Sequence, residues 1–199
     1  TYRHLVEEAR RLGLPVTHDP GEPLFHRVPL ERALDLGVRC FEHAKAPWPA
    51  VLRDDLRREH DALLDSLRAG RAHPMQAMGF ALRVAELGAA SVDTVRLHDL
   101  GARLRERGAC LCPTLVVLDD LEAIAFEQTR QQQGLQEIPE PMKAAIRRMI
   151  SAMEAVSRLC VRILAAERVR LLVGQDGCDP SATAREMRRM AACGVPAVE

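Results

Sequence analysis

The chain has 199 residues, enough for one sizeable domain, and its 28 basic and 28 acidic residues leave no formal net charge. That balance argues against a nucleic-acid binder working through a bulk basic field, and it gives no reason to expect an anionic membrane surface as partner. No apolar run approaches the roughly 18 residues of a membrane span.

Six cysteines, Cys40, Cys110, Cys112, Cys160, Cys178 and Cys193, are scattered in apolar surroundings rather than arranged as a disulfide framework. We read them as reduced thiols and expect a cytoplasmic protein. The chain opens on Thr1 inside a helical pattern and stops just after "GVPAVE". We therefore expect a piece of a longer protein.

In chain order, residues 2–12 read as a helix ended by Gly13, and "LPVTH" as a short strand ending in His18. "DPGEP" is loop by its Pro and Gly content. "PLERALDLG" is a short helix stopped at Gly37, and "VRCFEH" is a second strand. Residues 48–93 are too long for an ordinary connection, so we expect an inserted helical subdomain there. Within it, Val51, Leu52, Leu56, Leu63, Leu64 and Leu67 keep helical spacing, and residues 75–87 read as helix. A further helix is expected over 94–107. "ACLCPTLVVL" reads as the third strand, followed by a helix from Leu121 to Gln132 and the loop "QEIPEP". From Met142, the series Ile146, Met149, Ile150, Met153, Val156, Leu159, Ile163, Leu164 predicts a long amphipathic helix. "RVRLLVGQD" is the fourth strand, and Ala182 to Ala192 a last helix ended by Gly194. Strands alternating with helices predict an α/β chain with a parallel sheet.

Three of these strand runs end in a residue able to bind a metal: His18, His43 and Asp176. The C-terminal ends of parallel strands share one face of the sheet, which carries the site in barrels and open sheets alike. Two imidazoles and a carboxylate suit zinc or another divalent cation. A lone strand-end histidine is more often a satisfied polar or capping group. His26, His73 and His98 have no ligand-like spacing, and His60, in a charged helix, reads as solvated surface. Cys110 and Cys112 share one strand face and read as buried thiols before ligands. Cys178 reads as a loop thiol. Glu42, next to His43, should point to the opposite face and serve a salt bridge or a cap. Asp119 and Asp120 read as capping residues of a helix start, while Asp179 and Ser181 mark a turn into the last helix.

The ordered set "GLPVTHDP", "ALDLGVRCFEHA", "GACLCPTLVVLDDLE" and "AAERVRLLVGQDG" resembles the second half of the metal-dependent amidohydrolase superfamily, near imidazolonepropionases and Xaa-Pro dipeptidases. The resemblance implies a partial (β/α)8 TIM barrel covering strands five to eight, with His18 and His43 as metal ligands after their strands. "P-T-L" is matched by Pro113, Thr114 and Leu115, and "G-T-D" by Gly174, Gln175 and Asp176. Gln175 replaces the usual Thr, and Ala44 the usual Gly. The family's H-x-H pair does not occur in this chain. The activity implied is hydrolysis of an amide-type C–N bond in a small-molecule or short-peptide substrate. Asp176 would accept a proton from a metal-activated water and pass it to the leaving nitrogen. A half barrel leaves open strand edges, so a homo-oligomer or a complementing N-terminal half is expected as partner. The alternative is a non-catalytic half-barrel remnant that binds a partner.

Overall fold

A computed structural model describes residues 1–21, 24, 28–134, 136–176 and 179–196. His26 and Cys178 lie outside the described residues. The chain is α/β and mostly helical, built around a small parallel sheet.

Helix α1 (Tyr2–Arg11) leads to strand β1 (Thr17–His18). Helix α2 (Leu30–Leu36) buries Leu30, Ala33 and Leu34 and stops at Gly37, which sits at φ 102°. That left-handed conformation suits glycine, and a side chain there would also collide with the Arg10 guanidinium, which donates to the Leu36 carbonyl. Strand β2 (Cys40–Glu42) follows.

The passage to the third strand is long. A 3₁₀ turn at Trp48–Val51 precedes α3 (Asp54–Arg68), α4 (Pro74–Leu87), a second 3₁₀ turn and α5 (Thr94–Glu106). Leu56, Phe80 and Val84 of this passage join the main core, and a short tie holds its two ends together. Leu52 bridges Val92, the Arg53 amide donates to the Ser91 carbonyl at 3.0 Å, and the Asp93 amide to the Val51 carbonyl at 2.7 Å. The Trp48 indole N–H seals it through the Ser91 hydroxyl at 2.9 Å. Asp93 caps α5 by accepting from the Arg96 amide, a device worth about 1 kcal/mol.

His60, expected at the surface, is 4% exposed, and its Nε2 lies 2.6 Å from the Leu24 carbonyl. The reason is register: His60 falls one turn after buried Leu56 on the inward stripe of α3.

Strand β3 (Cys110–Cys112) is shorter than "ACLCPTLVVL" suggested. Pro113 has no N–H to give a ladder, and Thr114 turns left-handed at φ 49°. Residues Leu115–Asp119 then form a 3₁₀ turn rather than strand. Helices α6 (Leu121–Gln133) and α7 (Glu140–Ala166) complete that crossover. Strand β4 (Arg170–Leu171) is likewise brief, with the Leu172 amide extending the ladder to the Leu111 carbonyl. Helix α8 (Ala182–Ala192) spans the expected residues.

The four strands are all parallel and lie in sequence order, β1-β2-β3-β4. Thr17, Cys40, Cys110 and Arg170 stand level across the sheet, and His18, Phe41, Leu111 and Leu171 form the next row. Pleating sends the two rows to opposite faces. The second row joins the main core with Leu34, Leu97, Leu104 and Leu164, each side chain worth about 1.5–3 kcal/mol when fully buried. A smaller core of Ala44, Leu115, Val161, Met190 and Cys193 lies under the C-terminal strand ends. Among the described residues, no helix is long and apolar enough to cross a membrane.

Candidate functional site at the C-terminal strand ends

Beyond Glu42, the chain leaves regular strand geometry but stays tied to its neighbour. The His43 amide donates to the Cys112 carbonyl and the Ala44 amide to the Pro113 carbonyl, both at 2.8 Å. His43 itself adopts φ 68°, a conformation a side chain with a Cβ rarely holds. Thr114, at the end of the adjacent strand, is also left-handed. These two strained residues meet: His43 Nδ1 lies 2.6 Å from Thr114 Oγ1. Such strain costs about 1–3 kcal/mol apiece and persists only where the surroundings impose it.

The Thr114 hydroxyl donates its single proton to the Pro113 carbonyl at 2.8 Å. With that proton so placed, the hydroxyl accepts from the ring, an arrangement that puts a proton on His43 Nδ1. The other nitrogen, Nε2, is left facing two carboxylates. Asp19 Oδ1 lies 3.6 Å away and Asp176 Oδ2 3.7 Å away. His43 is 13% exposed, whereas both aspartates are more than half exposed. A nitrogen lone pair set between two acids leaves a place for a positive charge.

Of the three residues picked out by sequence, His43 and Asp176 come together and His18 does not. In β1 the pleat turns His18 into the row of Phe41, towards the helices. There it is 6% exposed, its Nδ1 lies 2.9 Å from the Tyr2 hydroxyl and its Nε2 3.1 Å from the Val28 carbonyl. Burial holds this ring below its ordinary 6.5, with the Val28 carbonyl and the charge of Asp19 acting in the opposite sense. Asp19, the next residue, reaches the mouth instead. In the sequence Asp19 opens the loop "DPGEP", and its place directly after a strand end is the signal for this role.

Other side chains have different duties from those expected. Among the described residues Glu42 forms neither a salt bridge nor a cap: it stands beside Cys112 in register. Burial first, then the charge of Glu42, pushes the Cys112 thiol up to about 12. Burial first, then neighbouring Cys40, pushes Cys110 up to about 11, so neither group is a thiolate at neutral pH in the metal-free protein. Asp119 is not a cap but the partner of Arg185, at 3.3 Å, and of Arg189. Asp179 does make the expected turn, accepting from the Ser181 amide at 2.9 Å and its hydroxyl at 2.8 Å.

A cavity of about 220 Å³ opens beside His43 and Asp176, its far wall made by Leu118, Leu121, Ile124 and Met153. A larger depression of about 330 Å³ lies at the opposite end of the strands, and among the described residues no acid or imidazole lines it. Its arginines Arg10, Arg39 and Arg170 each donate to backbone carbonyls, a duty that explains them structurally.

The donor chemistry at the mouth, one imidazole and two carboxylates, fits a divalent cation such as zinc. Among the described residues, no three such side chains are already closed around one point. Comparison with protein-family models, with curated proteins and with solved structures finds no match.

Proposed function

We propose that this chain is a fragment of a metal-dependent hydrolase that cleaves amide-type C–N bonds in a small molecule or short peptide. The observation that carries the reading is His43: a strained residue at a strand end, its Nδ1 fixed by Thr114 and its Nε2 turned to Asp19 and Asp176. Such functional strain at the C-terminal ends of parallel strands is the usual setting for catalysis.

The finer architecture, a partial (β/α)8 barrel covering strands five to eight, belongs to the same proposal. Its support is the strand order: four parallel strands in uninterrupted sequence order are what a barrel segment contains, whereas a doubly wound sheet reverses.

His43, Asp176 and Asp19 would hold the cation, probed first as Zn²⁺. When bound, it supplies a water activated near neutral pH and polarises a carbonyl. The protein's own residues do the rest. Asp176 takes the water's proton on a carboxylate oxygen and returns it to the leaving nitrogen. Thr114 keeps the imidazole in one tautomer, as outer partners of metal-binding histidines do. The apolar cavity wall receives an uncharged group of the substrate next to the bond that breaks.

The test is equilibrium dialysis of chelator-treated protein against Zn²⁺, followed by hydrolysis assays on a panel of dipeptides and cyclic amides. We expect one zinc bound by the wild type, lost in His43→Ala, and hydrolysis lost in Asp176→Asn. No zinc bound by the wild type overturns the reading.

A second reading, a non-catalytic partner-binding domain, has its own support. Among the described residues β4 pairs only with β3, and Leu172 and Val173 beyond it are exposed. A second copy of this chain or a complementing N-terminal half would cover that edge. Sedimentation as a stable, dilute monomer would count against both occupants.

A further inference from the structure

Thr114 stands at the N-terminal cap of the 3₁₀ turn Leu115–Asp119, where a threonine hydroxyl ordinarily accepts from the turn's own amides. It makes no such bond, because its hydroxyl is committed to Pro113 and to His43. One of the turn's amides is satisfied from elsewhere: Glu186, on α8, accepts from the Val116 amide at 2.7 Å. We propose that Glu186 is a positioning residue: by capping this turn from a distance, it frees the Thr114 hydroxyl to fix the orientation and tautomer of His43.

Three features support the assignment. Glu186 is 0% exposed, between Ala182 and Met190 on the buried stripe of α8, where an apolar side chain would be the default. Burying a carboxylate is costly unless its hydrogen bonds are used. Its second oxygen, Oε1, is buried and has no partner among the described residues, so packing alone does not account for the residue. The far end of the same turn is fastened to the same helix, Asp119 pairing with Arg185 and Arg189, and Arg189 reaching Glu154 of α7 at 3.3 Å. Helix α8 thus grips the turn at both ends, and Thr114 leaves it in the direction of the imidazole.

The catalytic meaning of this device rests on the hydrolase reading; the positioning itself does not. The test is therefore spectroscopic, on the ring nitrogens of His43 in ¹⁵N-labelled protein above neutral pH. In the wild type, Nδ1 should read as protonated and Nε2 as bearing the lone pair. Glu186→Met keeps the shape but removes the acceptor. It should mix the two tautomers and raise Val116 amide exchange on the order of tenfold. Glu186→Gln keeps an acceptor and should retain the wild-type ring pattern. Thr114→Val should reproduce the Glu186→Met pattern, and the double variant should add nothing further.

A folded Glu186→Met with the wild-type His43 pattern overturns the proposal. Should Glu186→Met fail to fold, Glu186→Gln decides: the ring pattern kept supports the role, and the pattern scrambled in folded protein overturns it. A ring pattern that depends on Glu186 in a protein that hydrolyses no amide leaves the positioning standing and removes only the hydrolase reading.

Discussion

His18 and His43 are the same residue type at the same structural address, the end of a parallel strand, and they have opposite fates. His18 follows the pleat of β1 inwards, and both its ring nitrogens find partners, the Tyr2 hydroxyl and the Val28 carbonyl. His43 breaks from the pleat with a left-handed backbone, and only one nitrogen is committed, to Thr114. The first ring is a buried polar group whose needs are met. The second is held at an energetic cost and keeps a nitrogen turned towards two acids. A strand-end histidine thus becomes a candidate ligand through its backbone conformation and the fate of its second nitrogen, and position alone does not decide it.

The largest effect that would sharpen this contrast is expected from His43→Ala, with zinc affinity falling by more than about 100-fold, beyond the usual loss from an outer-partner mutation. His18→Ala should leave zinc binding unchanged and cost about 1–3 kcal/mol in denaturant unfolding. Equal loss of zinc in both variants would erase the distinction. A companion variant, His43→Gly, should lose zinc without losing stability, because glycine accepts φ 68° freely.

Next in size is Thr114→Val, which removes the partner of His43 Nδ1. Zinc affinity should fall about 10–100-fold, read by competition with a chromophoric chelator. Gly174→Ala probes the wall of the site through packing. A Cβ there would collide with Cys112 Sγ, so we expect a loss of about 1–3 kcal/mol, largely relieved by Cys112→Ala in the same chain.

The smallest effect is a pH dependence belonging to His18. Burial keeps its folded ring below 6.5, so the unfolded chain takes up a proton first as pH falls. Its contribution to stability is complete above about 6.5 and is lost as pH falls towards the folded value. Denaturant midpoints at pH 7.5 and 5.5, compared with those of His18→Gln, should show a flatter slope in the variant. Parallel slopes would mean that His18 is not the buried neutral ring described here.

How much of this was legible in the sequence depended on whether the signal was local. Helices α4, α5 and α8 and the long stripe of α7 could be read from periodicity, because apolar spacing and helix stops are local features. His43 and Asp176 could be picked out because each follows an apolar run at a strand end. Strands β3 and β4 are shorter than their apolar runs, because a run such as "PTLVVL" carries no mark of where pairing stops except Pro113. His18 and Asp19 exchanged roles through a single step of the pleat, which one sequence cannot resolve when a strand is two residues long. Glu186 and Thr114 lie about seventy positions apart, so only packing brings them to the same turn. The local hint was a charged residue at the centre of the stripe Ala182, Glu186, Met190.

We propose that His43, not His18, offers a nitrogen to a divalent cation beside Asp19 and Asp176. The most direct measurement is a zinc titration of ¹⁵N-histidine-labelled protein, following all imidazole nitrogens at once. His43 Nε2 is expected to shift to saturation at one equivalent while both His18 nitrogens stay in place, and Asp176→Asn to weaken the response. A shift of the His18 ring, or no histidine responding at all, would contradict that assignment.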